Sequence, residues 1–161
     1  MEQMSLFKAP YKYIMDTSSM LSQKEKEDYP RKAFESMWKA IDDYIKKQII
    51  VICSEIQEEI KDIEIVSLLK NLKCGVLSID YDVQENVRKI VRDNPEIINF
   101  NGKKGSSSGD VFLIATAMNY NLTVITQENK ESPKKIPKIC EKYGIKCLDL
   151  KDFLIAEKLK F

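Results

Sequence analysis

Apolar positions along this chain switch repeatedly between two spacings, and the switching predicts strands and helices in alternation. Tyr11-Lys12-Tyr13-Ile14-Met15, after Pro10, reads as a short strand. From Pro30, a residue suited to a first helical turn, Ala33, Phe34, Met37, Trp38, Ile41, Tyr44 and Ile45 recur at three- and four-residue steps. That spacing predicts an amphipathic helix over 31–46, with Lys46 and Lys47 suiting its C-terminal dipole. Ile49-Ile50-Val51-Ile52-Cys53 is continuously apolar, as a strand buried on both faces would be. Ser54-Glu55-Ile56-Gln57 has the form of a capping box, and Ile56, Ile60 and Ile63 supply a buried stripe behind it. A further helix is expected over 66–73 and extended chain over 76–79. Asp82 is expected to cap a helix carrying Val83, Val87, Ile90 and Val91, which Asn94-Pro95 stops.

Residues 97–109 have little pattern and several turn formers. They lead through Gly105-Ser106-Ser107-Ser108-Gly109 to Asp110, where an apolar helix is expected over 110–120, with Val111, Ile114, Ala115 and Met118 on its core face. Leu122-Thr123-Val124-Ile125-Thr126 predicts a strand and Gln127-Glu128-Asn129-Lys130 a polar loop after it. Pro137 opens a short helix with Ile139, Cys140 and Tyr143, Gly144 ends it at the C′ position, a last strand covers 145–148, and a last helix covers 150–159. This order predicts an α/β fold: four or five parallel strands with right-handed crossovers and helices on both faces, residues 1–161 forming one domain.

Composition narrows the function. The longest apolar run is far too short to span a bilayer, and Met1-Glu2-Gln3-Met4-Ser5-Leu6 has no basic region leading into an apolar one. A cytoplasmic protein without a membrane role is expected. Lys+Arg is 26 against Asp+Glu 25, so nucleic acid could be bound only through local patches, of which Lys103-Lys104 and Lys134-Lys135 with Lys138 are candidates. Cys53, Cys74, Cys140 and Cys147 form no C-x-x-C pair and are read as small buried hydrophobes. The chain has no histidine, which removes Ser-His-Asp and Cys-His catalysis and leaves carboxylates, lysine, tyrosine or a metal.

Carboxylates fall where a parallel sheet binds ligands, outside the carboxyl ends of its strands. Asp16 and Glu128 each follow a predicted strand, and Asp110 opens a helix, where an N-cap role is the simplest reading. After the second strand, Glu55, Glu58 and Glu59 compete. At about 100° per residue, Glu59 lies roughly 65° from the centre of the isoleucine stripe, Glu55 roughly 105° and Glu58 roughly 165°. Glu59 is therefore the acid expected at the boundary between core and solvent. Clustered carboxylates would repel one another without a cation, and hard Mg²⁺ or Mn²⁺ ions accept oxygen ligands.

Four stretches, in order, resemble the motifs of the PIN domain, the metal-dependent ribonuclease fold of VapC-like toxins. They are Tyr13-Ile14-Met15-Asp16-Thr17-Ser18, Ser54-Glu55-Ile56-Gln57-Glu58-Glu59-Ile60, Gly109-Asp110-Val111-Phe112-Leu113-Ile114-Ala115-Thr116-Ala117, and Val124-Ile125-Thr126-Gln127-Glu128. The tail from Ile136 through Leu148 resembles a PIN-like branch catalogued as a domain of unknown function. The resemblance implies a three-layer α/β/α sandwich around a parallel sheet. It also implies Asp16, Glu59 and Asp110 as core ligands of Mg²⁺ or Mn²⁺, with Glu128 as a weaker ligand or a group behind them. Thr17, Ser18 and Thr126 would orient carboxylates or water, and residues 106–108 could offer hydroxyls to a phosphate. Ser18 stands where many members have Asn, and Glu128 where many have Asp.

The activity implied is hydrolysis of RNA phosphodiester bonds, as in the toxin of an antitoxin pair, with RNA as substrate, an antitoxin protein as partner and a homodimer allowed. The alternative is a PIN-like module of weak or no catalysis that binds RNA or protein. A phosphoacceptor domain modified at Asp16 would need a well-placed lysine after a later strand, and Lys130 lies too far along its loop.

Overall fold

In a computed structural model, described over residues 10–97 and 108–161, five strands form one wholly parallel sheet. They are β1 (Tyr13–Met15), β2 (Ile50–Cys53), β3 (Val76–Leu77), β4 (Thr123–Ile125) and β5 (Cys147–Leu148), in the order β3-β2-β1-β4-β5. The register sets Ile14 against Val51 on one side and Val124 on the other. From β1 the chain steps outward to β2 and β3, then returns to lay β4 on the other flank of β1. The β1–β4 boundary is thus the point where the winding direction reverses, and a crevice opens there at the carboxyl ends of the strands.

Eight helices accompany the sheet among the described residues: α1 (Thr17–Leu21), α2 (Glu35–Lys46), α3 (Ser54–Glu59), α4 (Ile63–Asn71), α5 (Tyr81–Asp93), α6 (Ser108–Tyr120), α7 (Ile136–Lys142) and α8 (Leu150–Ala156). On one face α2 meets α8, where Tyr44 and Tyr13 both set their rings edge-on to Phe153. The reversal puts α6, packed against α5 and α7, on the opposite face. No helix among the described residues is long and apolar enough to cross a membrane.

The periodicity located most elements and misjudged several boundaries. The helix expected from residue 31 begins at Glu35, and Ala33 and Phe34 are exposed. Tertiary bonds hold the preceding segment: the Arg31 amide donates to the Gln23 carbonyl, the Trp38 indole to the Tyr29 carbonyl, and the Arg31 guanidinium to Gln23 and both oxygens of Asp42. The stripe expected from Ile56 to Ile63 breaks, because Ile60 turns extended and Asp62 caps a new helix, leaving Ile63 85% exposed. That new helix runs Ile63–Asn71 rather than 66–73. Asp80, not Asp82, caps α5, accepting from the Val83 amide at 2.9 Å. α8 stops at Ala156, short of 159. The residues after β1 form the short helix α1, too brief for any periodicity to mark. Cys53 and Cys140 are buried as expected, whereas Cys74 and Cys147 are half-buried. Lys103-Lys104 and the hydroxyls of residues 106–108 lie outside what the structure describes.

Helix ends follow one device. α2, α4 and α8 are each followed by a left-handed residue at the second position past their last turn: Gln48 (φ 65°), Lys73 (φ 54°) and Lys158 (φ 57°). Gly144 (φ 68°) does the same after α7, where the sequence placed it.

The C-terminal helix is fastened to the sheet by Glu157. Its carboxylate accepts from the Lys12 ammonium at 2.7 Å, the Tyr44 hydroxyl at 2.8 Å and the Tyr13 hydroxyl. Burial pushes the Glu157 pKa up, but these three donors outweigh it and the net shift is downward. A depressed folded pKa gives stability that is present above the ordinary value of 4.5 and is lost as the pH falls through the folded value. Glu157→Ala should cost about 2–3 kcal/mol in urea unfolding at neutral pH, and its deficit against wild type should shrink as the pH is lowered below 4.5. Burial and the Glu157 carboxylate together push Tyr44 up to about 12, so its share is kept below pH 10 and lost as the pH rises through 12.

Candidate functional site

Asp16 follows β1 at the winding reversal and is 2% exposed. It caps α1 by accepting from the Ser19 amide at 3.0 Å. The Ser19 hydroxyl lies 2.8 Å from the same oxygen, the Ser18 hydroxyl 2.8 Å from the other, and the Thr126 hydroxyl donates to that second oxygen at 2.7 Å. Thr126 follows β4, so this last bond crosses the crevice. The Thr126 oxygen also accepts from the Glu128 amide at 3.1 Å, and Ser18 accepts from the Gln127 amide at 3.1 Å. Burial raises the Asp16 pKa, against the lowering pull of the Thr126, Ser19 and Ser18 donors.

Glu128 sits on the loop beyond Thr126, its Oε1 accepting from the Ile136 amide at 3.2 Å and its Oε2 lying 3.9 Å from Lys135 Nζ. Its pKa is raised, first by burial and then by the negative charges of Asp16 and Glu59, against the Ile136 amide and Lys135. Glu59 ends α3 and is exposed, not set at the core boundary as its helical phase suggested, since the stripe that set the phase breaks. Its carboxylate nevertheless turns inward and accepts from the Thr17 hydroxyl. A Cβ on Gly109 would stand 3.1 Å from Glu59 Oε2, so the carboxylate lies close against the first turn of α6. Asp110, the next residue, is buried at 6% exposure; α6 starts two residues ahead of it, so Asp110 lies in the first turn and is not the cap. α6 is buried on nearly all sides from 109 to 117, and its core residues are Val111, Leu113, Ile114, Ala115 and Ala117 rather than a single stripe.

Asp16, Ser18, Thr126 and the Glu128 amide are thus linked by bonds across one crevice, while Thr17, next to Asp16 in the chain, holds Glu59, which lies close to Gly109 and so to the turn that carries Asp110. As the side chains stand, no group of three or more His, Cys, Asp or Glu among the described residues is close enough to hold a metal ion. The donors are all oxygens and Glu128 feels the charge of two other acids, which is the chemistry a hard divalent cation relieves. Two contributors escaped the sequence reading. Ser19 carries the signal of an Asp-x-x-Ser cap, and Gly109 carries none until Glu59 is seen against it.

The layered arrangement is an α/β/α sandwich around a wholly parallel sheet. A family profile described as Domain of unknown function (DUF4411) matches residues 13–161, and the chain belongs to that family. No curated protein matches the chain. Among solved structures, PAE2754 from Pyrobaculum aerophilum aligns with a TM-score of 0.51 at 14% identity, over 93% of this chain and 98% of its own. FitAB bound to an IR36 DNA fragment gives 0.51 at 12% identity, over 86% and 94%. VapBC2 from Rickettsia felis, bound to a DNA fragment from their promoter, gives 0.52 at 16% identity, over 85% and 97%. At these identities the likeness is one of fold.

Thr126 is the simplest test of the crevice. Thr126→Val keeps the shape but strips a donor from a buried carboxylate and an acceptor from the Glu128 amide. It should lower stability in EDTA by about 2–3 kcal/mol, and Thr126→Ser should recover most of that in the same denaturation experiment. Equal stability of wild type and the valine variant would mean that the bond does not hold the crevice together.

Proposed function

We propose that this protein is a metal-dependent endoribonuclease, formed by residues 1–161 as one domain, with Asp16, Glu59, Asp110 and Glu128 as its acidic centre. The observation that carries the reading is Asp16: a buried carboxylate at the winding reversal, surrounded by hydroxyl and amide donors and joined through Thr126 to a second acid. The PIN-like fold supports it, and two of the similar structures, FitAB and VapBC2, are complexes bound to DNA fragments. The toxin of an antitoxin pair is the biological role that fits best, with RNA as substrate, an antitoxin as partner and the cytoplasm as location.

Asp16, Glu59, Asp110 and Glu128 are the residues that would hold Mg²⁺ or Mn²⁺. When bound, such an ion supplies an activated water and positive charge for the departing 3′ oxygen. The chain's own contribution is positioning. Asp16 is fixed by Ser18, Ser19 and Thr126 and has no freedom to turn away. Thr126 ties the Glu128 backbone to Asp16, and Thr17 steadies Glu59. With no histidine in the chain, paired imidazoles cannot run a metal-free route, so the products should carry a 5′-phosphate and a 3′-hydroxyl.

One observation favours a second reading. Three acids do not stand within reach of one ion among the described residues, as a PIN-like module that binds RNA or protein without cutting would allow. The two separate in one experiment. Wild type should cleave single-stranded or looped RNA in Mg²⁺ or Mn²⁺ and stop in EDTA. Asp16→Asn and Asp110→Asn should stay folded by circular dichroism and lose at least about a hundredfold in rate, roughly 2.7 kcal/mol in the barrier. Cleavage that survives EDTA or both substitutions defeats the metal-dependent reading. Folded protein that binds Mn²⁺ and cuts no RNA points to the binding module.

A further inference from the structure

Beside the acidic crevice, at the ends of β4 and β5, lies a cavity of about 400 Å³ that shares Thr126 with it. Pro137, Ile145 and Leu148 give it apolar surface, and Lys130 and Lys138 also line it. Its surroundings are braced. Gln127 Oε1 accepts from the Leu150 amide at 2.7 Å, Glu128 Oε1 accepts from the Ile136 amide, and Lys130 is clamped between Asp149 at 2.9 Å and Asp152 at 3.1 Å. The loop from β4 to α7 is therefore tied to both neighbouring helices, and the cavity between them is formed in advance.

Charge says what suits it. Against the two lysines the lining sets three carboxylates, Glu131, Glu141 and Asp149, and Lys138 is already 3.4 Å from Glu141. With three carboxylates against two lysines the lining is net negative, which disfavours a bare phosphate. A flat neutral ring with donors and acceptors on its edge gains from every part: the apolar residues take its faces, the carboxylates accept from its amine or ring N–H, and the lysines donate to its carbonyl oxygens. The volume is within the range of small-ligand sites and suits a single nucleotide unit.

We propose that this cavity receives one unpaired base of the RNA strand whose phosphate lies at Asp16 and Glu128, and so sets which nucleotide stands next to the cut. The proposal rests on the nuclease reading above. Bases with an exocyclic amine suit the three carboxylates better than uracil does.

The test separates the cavity from the chemistry. Methyl-labelled protein in EDTA is titrated with AMP, CMP, GMP and UMP while the Ile145 and Leu148 methyl resonances are followed. The cavity predicts saturable shifts at both, weaker for UMP by about threefold, the scale of one weak hydrogen bond. Ile145→Trp, which fills the cavity, should abolish them at Leu148, and Lys138→Glu at the rim should weaken them, with folding followed by circular dichroism. No saturable shift in wild type, or shifts at Leu148 unchanged by Ile145→Trp, overturns the proposal. A second arm cleaves an RNA pool randomised around the cut: base preference should flatten in Ile145→Trp. An unchanged preference overturns the cavity and leaves the nuclease intact. If wild type cuts nothing, the nuclease reading falls, and the methyl shifts alone uphold or overturn the cavity as a nucleotide site.

Discussion

The constraint on which the functional end depends is the burial of one carboxylate. An ionised group removed from water is costly unless it is fully hydrogen-bonded. Asp16 meets that demand with donors from two directions, the start of α1 and the end of β4. These segments are more than a hundred residues apart, and the Thr126–Asp16 bond fastens them at the point where the sheet reverses its winding. An α/β crevice of this kind is usually a gap between diverging loops. Here its floor is a bonded network, so the position of Glu128 depends on Thr126, and that of Thr126 on Asp16.

The acids around that floor are held with unequal firmness. Asp16 and Asp110 are buried; Asp110 is carried by a helix enclosed on almost every side, while Glu59 reaches in from the exposed end of a six-residue helix. Its pose rests on one hydroxyl, that of Thr17, and its carboxylate lies close to Gly109. The crevice thus combines a rigid half, contributed by β1, β4 and α6, with an adjustable one contributed by α3. Such a division lets one carboxylate move to meet a cation while the others stay put.

Much of this was legible in the sequence, for a physical reason in each case. The strands were visible because chain buried on both faces must be continuously apolar, as at Ile50–Cys53. Gly144 was readable as a helix stop because few residues adopt its backbone angles cheaply. Asp16 and Glu128 stood out because they follow strands. What could not be read depended on contacts distant in sequence. The delayed start of α2 comes from Arg31 reaching Gln23 and Asp42. The exposure of Ile63 follows from a one-residue break at Ile60 that resets the helical phase. α6 misled because a helix buried all round has no stripe, and any apolar subset of it looks like a face.

The left-handed residues after α2, α4 and α8 have a consequence for how the protein could be stabilised. At Gln48, Lys73 and Lys158 the chain stops a helix with a residue that bears a Cβ, in a conformation that costs such residues about 1–2 kcal/mol. None of the three lies among the residues of the acidic crevice. Glycine would relieve that cost at Lys73 and Lys158, whereas at Gln48 it would also forfeit the bond from the Gln48 side-chain amide to the Lys73 carbonyl at 2.8 Å. Glycine at Lys73 or Lys158 could therefore offset a destabilising change elsewhere, including one in the loops around the crevice.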